Sequence, residues 1–163
     1  MNDSKIKRPV PLRPTKLKVD IQRATDTPGL PSNQLIRKWV KAALGGRARR
    51  SVMTVRIVGA REAAMLNRKW RRKKGPTNVL SFPAGDEHGI TPGLLGDIVL
   101  CAPVIAREAL QQGKSPVAHW AHMIIHGTLH LMGYDHDKPA VARKMESLEK
   151  QLLADMGIPD PYQ

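Results

Sequence analysis

Scarcity narrows the possibilities first. The chain of 163 residues has a single cysteine, Cys101, and one thiol cannot close an internal disulfide, so no oxidised framework holds this fold together. Its place at the end of the apolar run Ile98 to Ala102 marks it as an inert buried residue. No stretch approaches the roughly 20 apolar residues that a bilayer requires. The opening residues, MNDSKIKRPVPLRPTKLK, lack the apolar segment of a secretory signal, so the expectation is a cytoplasmic protein with no membrane contact. Aromatic residues are only 4% of the chain, and helical spacing puts Trp39, Trp70 and Trp120 on core faces. Recognition of nucleic acid by base stacking is therefore not expected.

Acid is short as well. Against 27 Lys and Arg stand 14 Asp and Glu, a formal net charge of +13. Such an excess favours a polyanionic partner, because neutralised phosphates release condensed counterions. A basic surface that merely keeps a protein soluble has the same composition, so position has to decide.

With 41% hydrophobic and 25% charged residues, the chain can bury one compact core. Residues 1–15 read as a flexible basic arm and 16–163 as one domain. Leu17, Val19 and Ile21 alternate with polar residues as a half-buried strand. Ser32 then caps a helix carrying Leu35, Ile36, Trp39, Val40, Ala43 and Leu44 until Gly45 and Gly46 stop it. Met53, Val55 and Ile57 mark a second strand, and Ala60 to Trp70 a second helix whose inner face carries Ala63, Leu66 and Trp70. Asn78 to Phe82 is a third strand, ended by Pro83, and Ile98 to Ala102 a fourth, deep in the sheet. Pro103 opens a helix ending near Gly113. Ser115 and Pro116 open another that Gly133 ends, and Val141, Met145, Leu148 and Leu152 mark the last. The expected fold is α+β, a mixed sheet of about four strands packed with about five helices.

HGTLHLMGYDH, residues 126–136, gathers three of the six histidines. His126 and His130, four apart and so about 6 Å apart along one face of a helix, can aim their imidazoles at one point. A left-handed Gly133 would end the helix, and the turn through Tyr134 and Asp135 would bring His136 back as a third ligand. Three nitrogens with a fourth position open describe a catalytic zinc site at the end of this helix. His122 and His130 are about 12 Å apart in helix rise, so His122 reads as a core or supporting residue; only a pairing of His122 with His126 competes. Asp135 reads equally as a functional residue, supporting a ligand imidazole or assisting proton transfer, and as a turn residue. Where a helical zinc protease has glutamate after its first histidine, this chain has Gly127, so that general base is missing.

The same segment resembles the signature of the YbeY family of bacterial metal-dependent endoribonucleases. TNVLSFP at residues 77–83 and LLGDIVLC at 94–101 resemble that family's other two characteristic segments, in the right order. The likeness runs from about residue 17 to about 162 and leaves out the arm. It implies a sheet with helices around a three-histidine metal site, with His126, His130 and His136 as ligands. It also implies single-strand-directed cleavage in maturing the 3′ end of 16S rRNA and in ribosome quality control, with ribosomal RNA, the small subunit and assembly proteins as partners and no DNA. Arg71 matches the arginine that the family needs for activity, a placement that rests on counting back from TNVLSFP past the adjacent Arg72. Zinc is the expected metal, nickel another that imidazoles accept.

A fixed cation matters most where phosphodiester cleavage adds charge to nonbridging oxygens, which suits Arg71; the rest of the basic run, Arg68, Lys69, Arg72, Lys73 and Lys74, would hold phosphates as a group. The nucleophile could be water or the ribose 2′-OH. The rival reading is a non-catalytic assembly factor that docks on RNA and whose metal stabilises the fold.

Overall fold

The computed structural model describes residues 16–85 and 92–163; the arm expected over residues 1–15 lies outside them. Its elements run β1 (Lys18–Ala24), α1 (Asn33–Leu44), β2 (Val52–Val58), α2 (Ala60–Arg71), β3 (Val79–Pro83), β4 (Leu94–Cys101), α3 (Ala102–Gln111), α4 (Pro116–Leu131) and α5 (Pro139–Asp155). This is the expected α+β order. The strands form one mixed sheet in the order β1-β2-β4-β3. β1, β2 and β4 are parallel, and β3 runs antiparallel at the edge beside β4.

β2 and β4 are central, and their side chains show it: Val55, Ile57, Ile98 and Leu100 are wholly buried. One face of the sheet packs against α1, α4 and α5 in the main core, which includes Trp39, Ile124, Ile125, Leu129, Met145 and Leu153. The other face makes a smaller cluster of Val58, Ala63, Leu80, Val99, Cys101 and Val104 beneath α2 and α3. Both helix caps read from the sequence form: Ser32 Oγ accepts the Leu35 N–H at 3.2 Å and Ser115 Oγ that of Ala118 at 3.1 Å.

Four readings need correction. The glycines after α1 do not simply stop it, because Gly45–Arg50 continues as a 3-10 helix that buries Ala48. β4 begins at Leu94, four residues before the apolar run, and Ala102 already belongs to α3; the ladder through Gly96 and Asp97 follows backbone pairing that hydrophobicity does not report. The buried stripe of α5 is Met145, Glu149 and Leu153, with Leu148 and Leu152 only half-buried and Val141 exposed. Trp70 is 57% exposed, not in the core, because it lies on the last turn of α2, past the rim of the cluster that holds Ala63.

Candidate metal centre

α4 is buried on nearly every side, since it lies between the sheet, α1 and α5. Close approach to β3 and β4 depends on Gly127: a Cβ there would stand 3.0 Å from Val79 Cγ2 and 3.2 Å from Ile98 Cγ2. Ser81 Oγ donates to the Gly127 carbonyl at 3.0 Å, tying the edge strand to the helix. The residue that takes the place of the protease glutamate is therefore a packing contact, with no room for a longer side chain.

The helix ends in a Schellman turn. Gly133 has φ 96°, its N–H reaches the His130 carbonyl at 3.0 Å, and the Tyr134 N–H reaches that of Leu129 at 3.1 Å. Asp135 Oδ1 accepts the backbone N–H of His136 at 2.7 Å and of Asp137 at 3.3 Å. These backbone contacts shape the turn, and Asp135 also lines the cleft beside the histidines. His136 is thereby folded back over the helix end, and its Nε2 lies 2.8 Å from Nε2 of His130 and 3.1 Å from Nε2 of His126.

The three imidazoles form a group whose geometry could hold a metal ion. Around a tetrahedral zinc with nitrogens at about 2.0–2.1 Å, ligand atoms stand roughly 3.3 Å apart, close to the spacings seen. Burial, with His126 and His136 beside it, pushes His130 down to about 4, so at neutral pH this ring is uncharged and offers a lone pair.

Glu149 was not read from the sequence. Its carboxylate is fully buried and stands 2.6 Å from His126 Nδ1 and 3.1 Å from His122 Nε2, and it accepts the Tyr162 hydroxyl. Burial alone would raise this acid, but hydrogen bonds from His122 and His126 outweigh it and hold the carboxyl at about 2. An ionised carboxylate accepts only, so the His126 proton sits on Nδ1 and Nε2 is left free toward the cluster. His122, 7% exposed, supports Glu149 and takes no place among the three converging rings. Burial and the same carboxylate also push the Tyr162 hydroxyl up, so it donates at any ordinary pH. The signal was present: Glu149 is four residues from both Met145 and Leu153 on the buried stripe.

Beside the histidines opens a cleft of about 760 Å³, lined by Arg71, Lys73, Asn78, Ser81, Tyr134 and Asp135 among others. Arg71 closes α2 and donates from Nη2 to the Ser81 carbonyl at 2.7 Å. Arg72, at the left-handed cap (φ 55°), is not among the cleft residues. Of the two neighbouring arginines, Arg71 is the one that lines the cleft with the histidines. The turn after it is fixed by buried Asn67, whose Nδ2 donates to the Gly75 carbonyl at 2.8 Å.

A family model described as Endoribonuclease YbeY matches residues 20–157. Endoribonuclease YbeY of Xanthomonas oryzae pv. oryzae is 52% identical over 153 residues, covering 91% of this chain and 95% of that protein. That of Stenotrophomonas maltophilia is 50% identical over the same length. In fold, the chain is similar to the solution structure of TM1509 from Thermotoga maritima, with a TM-score of 0.53 and 21% identity over 84% of this chain and 91% of that one.

Proposed function

The chain belongs to the Endoribonuclease YbeY family, and from that premise we propose that it cuts single-stranded RNA at a metal ion held by His126, His130 and His136. The convergence of three imidazole nitrogens within 4.8 Å of one another, in a cleft that also holds an anchored arginine, carries this reading. Zinc suits three nitrogens with an open position, and nickel or another imidazole-binding metal fits the same donors. When bound, such an ion supplies Lewis acidity toward phosphate oxygens and helps to generate a nucleophile at neutral pH.

The chain's own residues do the rest. Glu149 fixes the orientation and tautomer of His126, as carboxylates do behind ligand histidines. Arg71 spends one N–H on the Ser81 carbonyl, which aims its fork and leaves other donors for the nonbridging oxygens of a phosphodiester, where charge grows in the transition state. Lys73 shares the cleft, and exposed Arg68, Lys69, Arg72 and Lys74 suit phosphates on either side. Motif resemblance supports 16S rRNA 3′-end maturation and quality control on the small ribosomal subunit, in the cytoplasm, as the setting.

The test is cleavage of a defined ribosomal RNA under single-turnover conditions by wild type, His126→Ala and Arg71→Ala, with metal content measured on each. The reading expects His126→Ala to lose metal and cleavage together, and Arg71→Ala to keep metal and lose cleavage. A His126→Ala protein that cuts at the wild-type rate would overturn it.

A further inference from the structure

The last turn of α2 brings Trp70 and Arg71 together at the β3 edge of the sheet. Arg71 reaches Ser81 and the histidine cleft. Trp70 turns to Phe82, with ring centroids 6.2 Å apart at an interplanar angle of 69°, and Phe82 packs with the cluster on the other face. On β3 the Ser81 side chain points to α4 and that of Phe82 away from it, while Arg71 is held between them by the Ser81 backbone carbonyl. On Phe82's side lies a hollow of about 560 Å³ whose walls include Trp70 and Phe82; Pro83 borders both this hollow and the cleft.

Trp70 is the one exposed tryptophan, at 57% against 2% for Trp39 and 3% for Trp120. Cations surround the aromatic pair: Lys69 Nζ is 5.1 Å from the Trp70 ring centre and the Arg71 guanidinium 5.4 Å from that of Phe82. The floor of the hollow is different in character. Arg56 is committed there to Glu62 at 2.8 and 3.2 Å and to Gln22 at 3.0 Å, and Asp97 lies beside them. With its one cation neutralised and two carboxylates present, the hollow repels a phosphate. It suits a flat, uncharged ring bearing N–H donors, while the cations at its rim suit the phosphates that such a ring is attached to.

We propose that this hollow is a nucleobase subsite: RNA crossing the β3 edge places a phosphate at Arg71 and stacks an adjacent base on Trp70. The proposal rests on the reading of the chain as an RNA-cutting protein, so its test reads binding and stacking apart from cleavage.

Full-length, metal-loaded protein is titrated with a single-stranded RNA of about 12 nucleotides while tryptophan emission is followed, and then with the same RNA made abasic at one position at a time. Because Trp39 and Trp120 are buried, RNA-dependent quenching reports Trp70. Emission should fall on binding, and one abasic position should remove most of the quench and weaken affinity about 10-fold, the order expected for one stacked base. Trp70→Leu should lose as much with intact RNA and nothing further with the abasic strand, whereas Trp70→Phe should keep part of the affinity and of the abasic effect. If Trp70→Leu binds as tightly as wild type, or if RNA binds with emission unchanged and no abasic position differs from another, the subsite is wrong. Cleavage persisting alongside that result would leave the endoribonuclease reading standing and turn the Trp70 face over to a protein partner. Failure of the wild type to bind RNA at all would overturn both.

Discussion

Glu149→Gln changes one charge in a pocket with no exposure to solvent. The side chain keeps its shape, and its amide oxygen can still accept from His126 Nδ1, now as a neutral hydrogen bond in place of a charged one at 2.6 Å. Charge-assisted bonds are roughly twice as strong as neutral ones, and partners behind ligand histidines are worth about 10- to 100-fold in metal affinity, or about 1.4–2.8 kcal/mol. The new amide N–H also confronts His122 Nε2 or the Tyr162 hydroxyl, which face the carboxylate now. One mismatched buried donor costs about 1–3 kcal/mol of fold stability. The two effects are separated by Tyr162→Phe, which removes a donor to Glu149 and leaves His126 untouched: it should lower stability by about 1 kcal/mol and leave metal affinity nearly unchanged. Metal affinity is read by competition with a chromogenic chelator, and stability by urea unfolding. Glu149→Gln protein that is destabilised yet holds metal as tightly as wild type would refute the claim that this carboxylate orients His126.

Three further outcomes follow from the geometry. Arg71→Ala should lower single-turnover cleavage about 100-fold or more while RNA affinity changes little, with Arg71→Lys only partly restoring the rate; parallel loss of binding and cleavage would favour RNA docking as the function. Gly96→Ala should cost about 3 kcal/mol or more in urea unfolding, because Gly96 has φ 128° and a Cβ would lie 2.1 Å from the Phe82 carbonyl oxygen. Burial holds His119 below its ordinary value despite the partly compensating Glu108, so the unfolded chain takes up that proton more readily. Its contribution to stability is complete above about pH 6.5 and is lost as pH falls below that; the urea midpoint should drop between pH 7.5 and 5.5 by more in wild type than in His119→Gln.

The parts of the site legible in the sequence were those set by local spacing. Two histidines four apart and a glycine where the chain must reverse led to the place where the three rings meet, and Ser32, Ser115 and the alternating apolar residues located most elements. Long-range packing was less legible. Glu149 stands in a charged-looking stretch, with Glu146 and Lys150 nearby, and only the tertiary placement of α5 against α4 turns its position on the stripe into a contact with His126. Trp70 has the helical spacing of a core residue, but spacing cannot tell that the core ends one turn earlier. Gly127 looked like the loss of a catalytic base; its reason is the contact with Val79 and Ile98 across the sheet.

The central claim is that one metal ion at the three histidines makes this chain an RNA-cutting enzyme. Its most direct test is to strip the purified protein of metal, titrate zinc back in fractions of an equivalent, and measure single-turnover cleavage of a single-stranded ribosomal RNA at each step. The account predicts negligible cleavage by the stripped protein, a linear rise that breaks at about one zinc per chain, and no rise for His130→Ala over the same range. Full cleavage by the stripped protein, or equal restoration of His130→Ala, would contradict it.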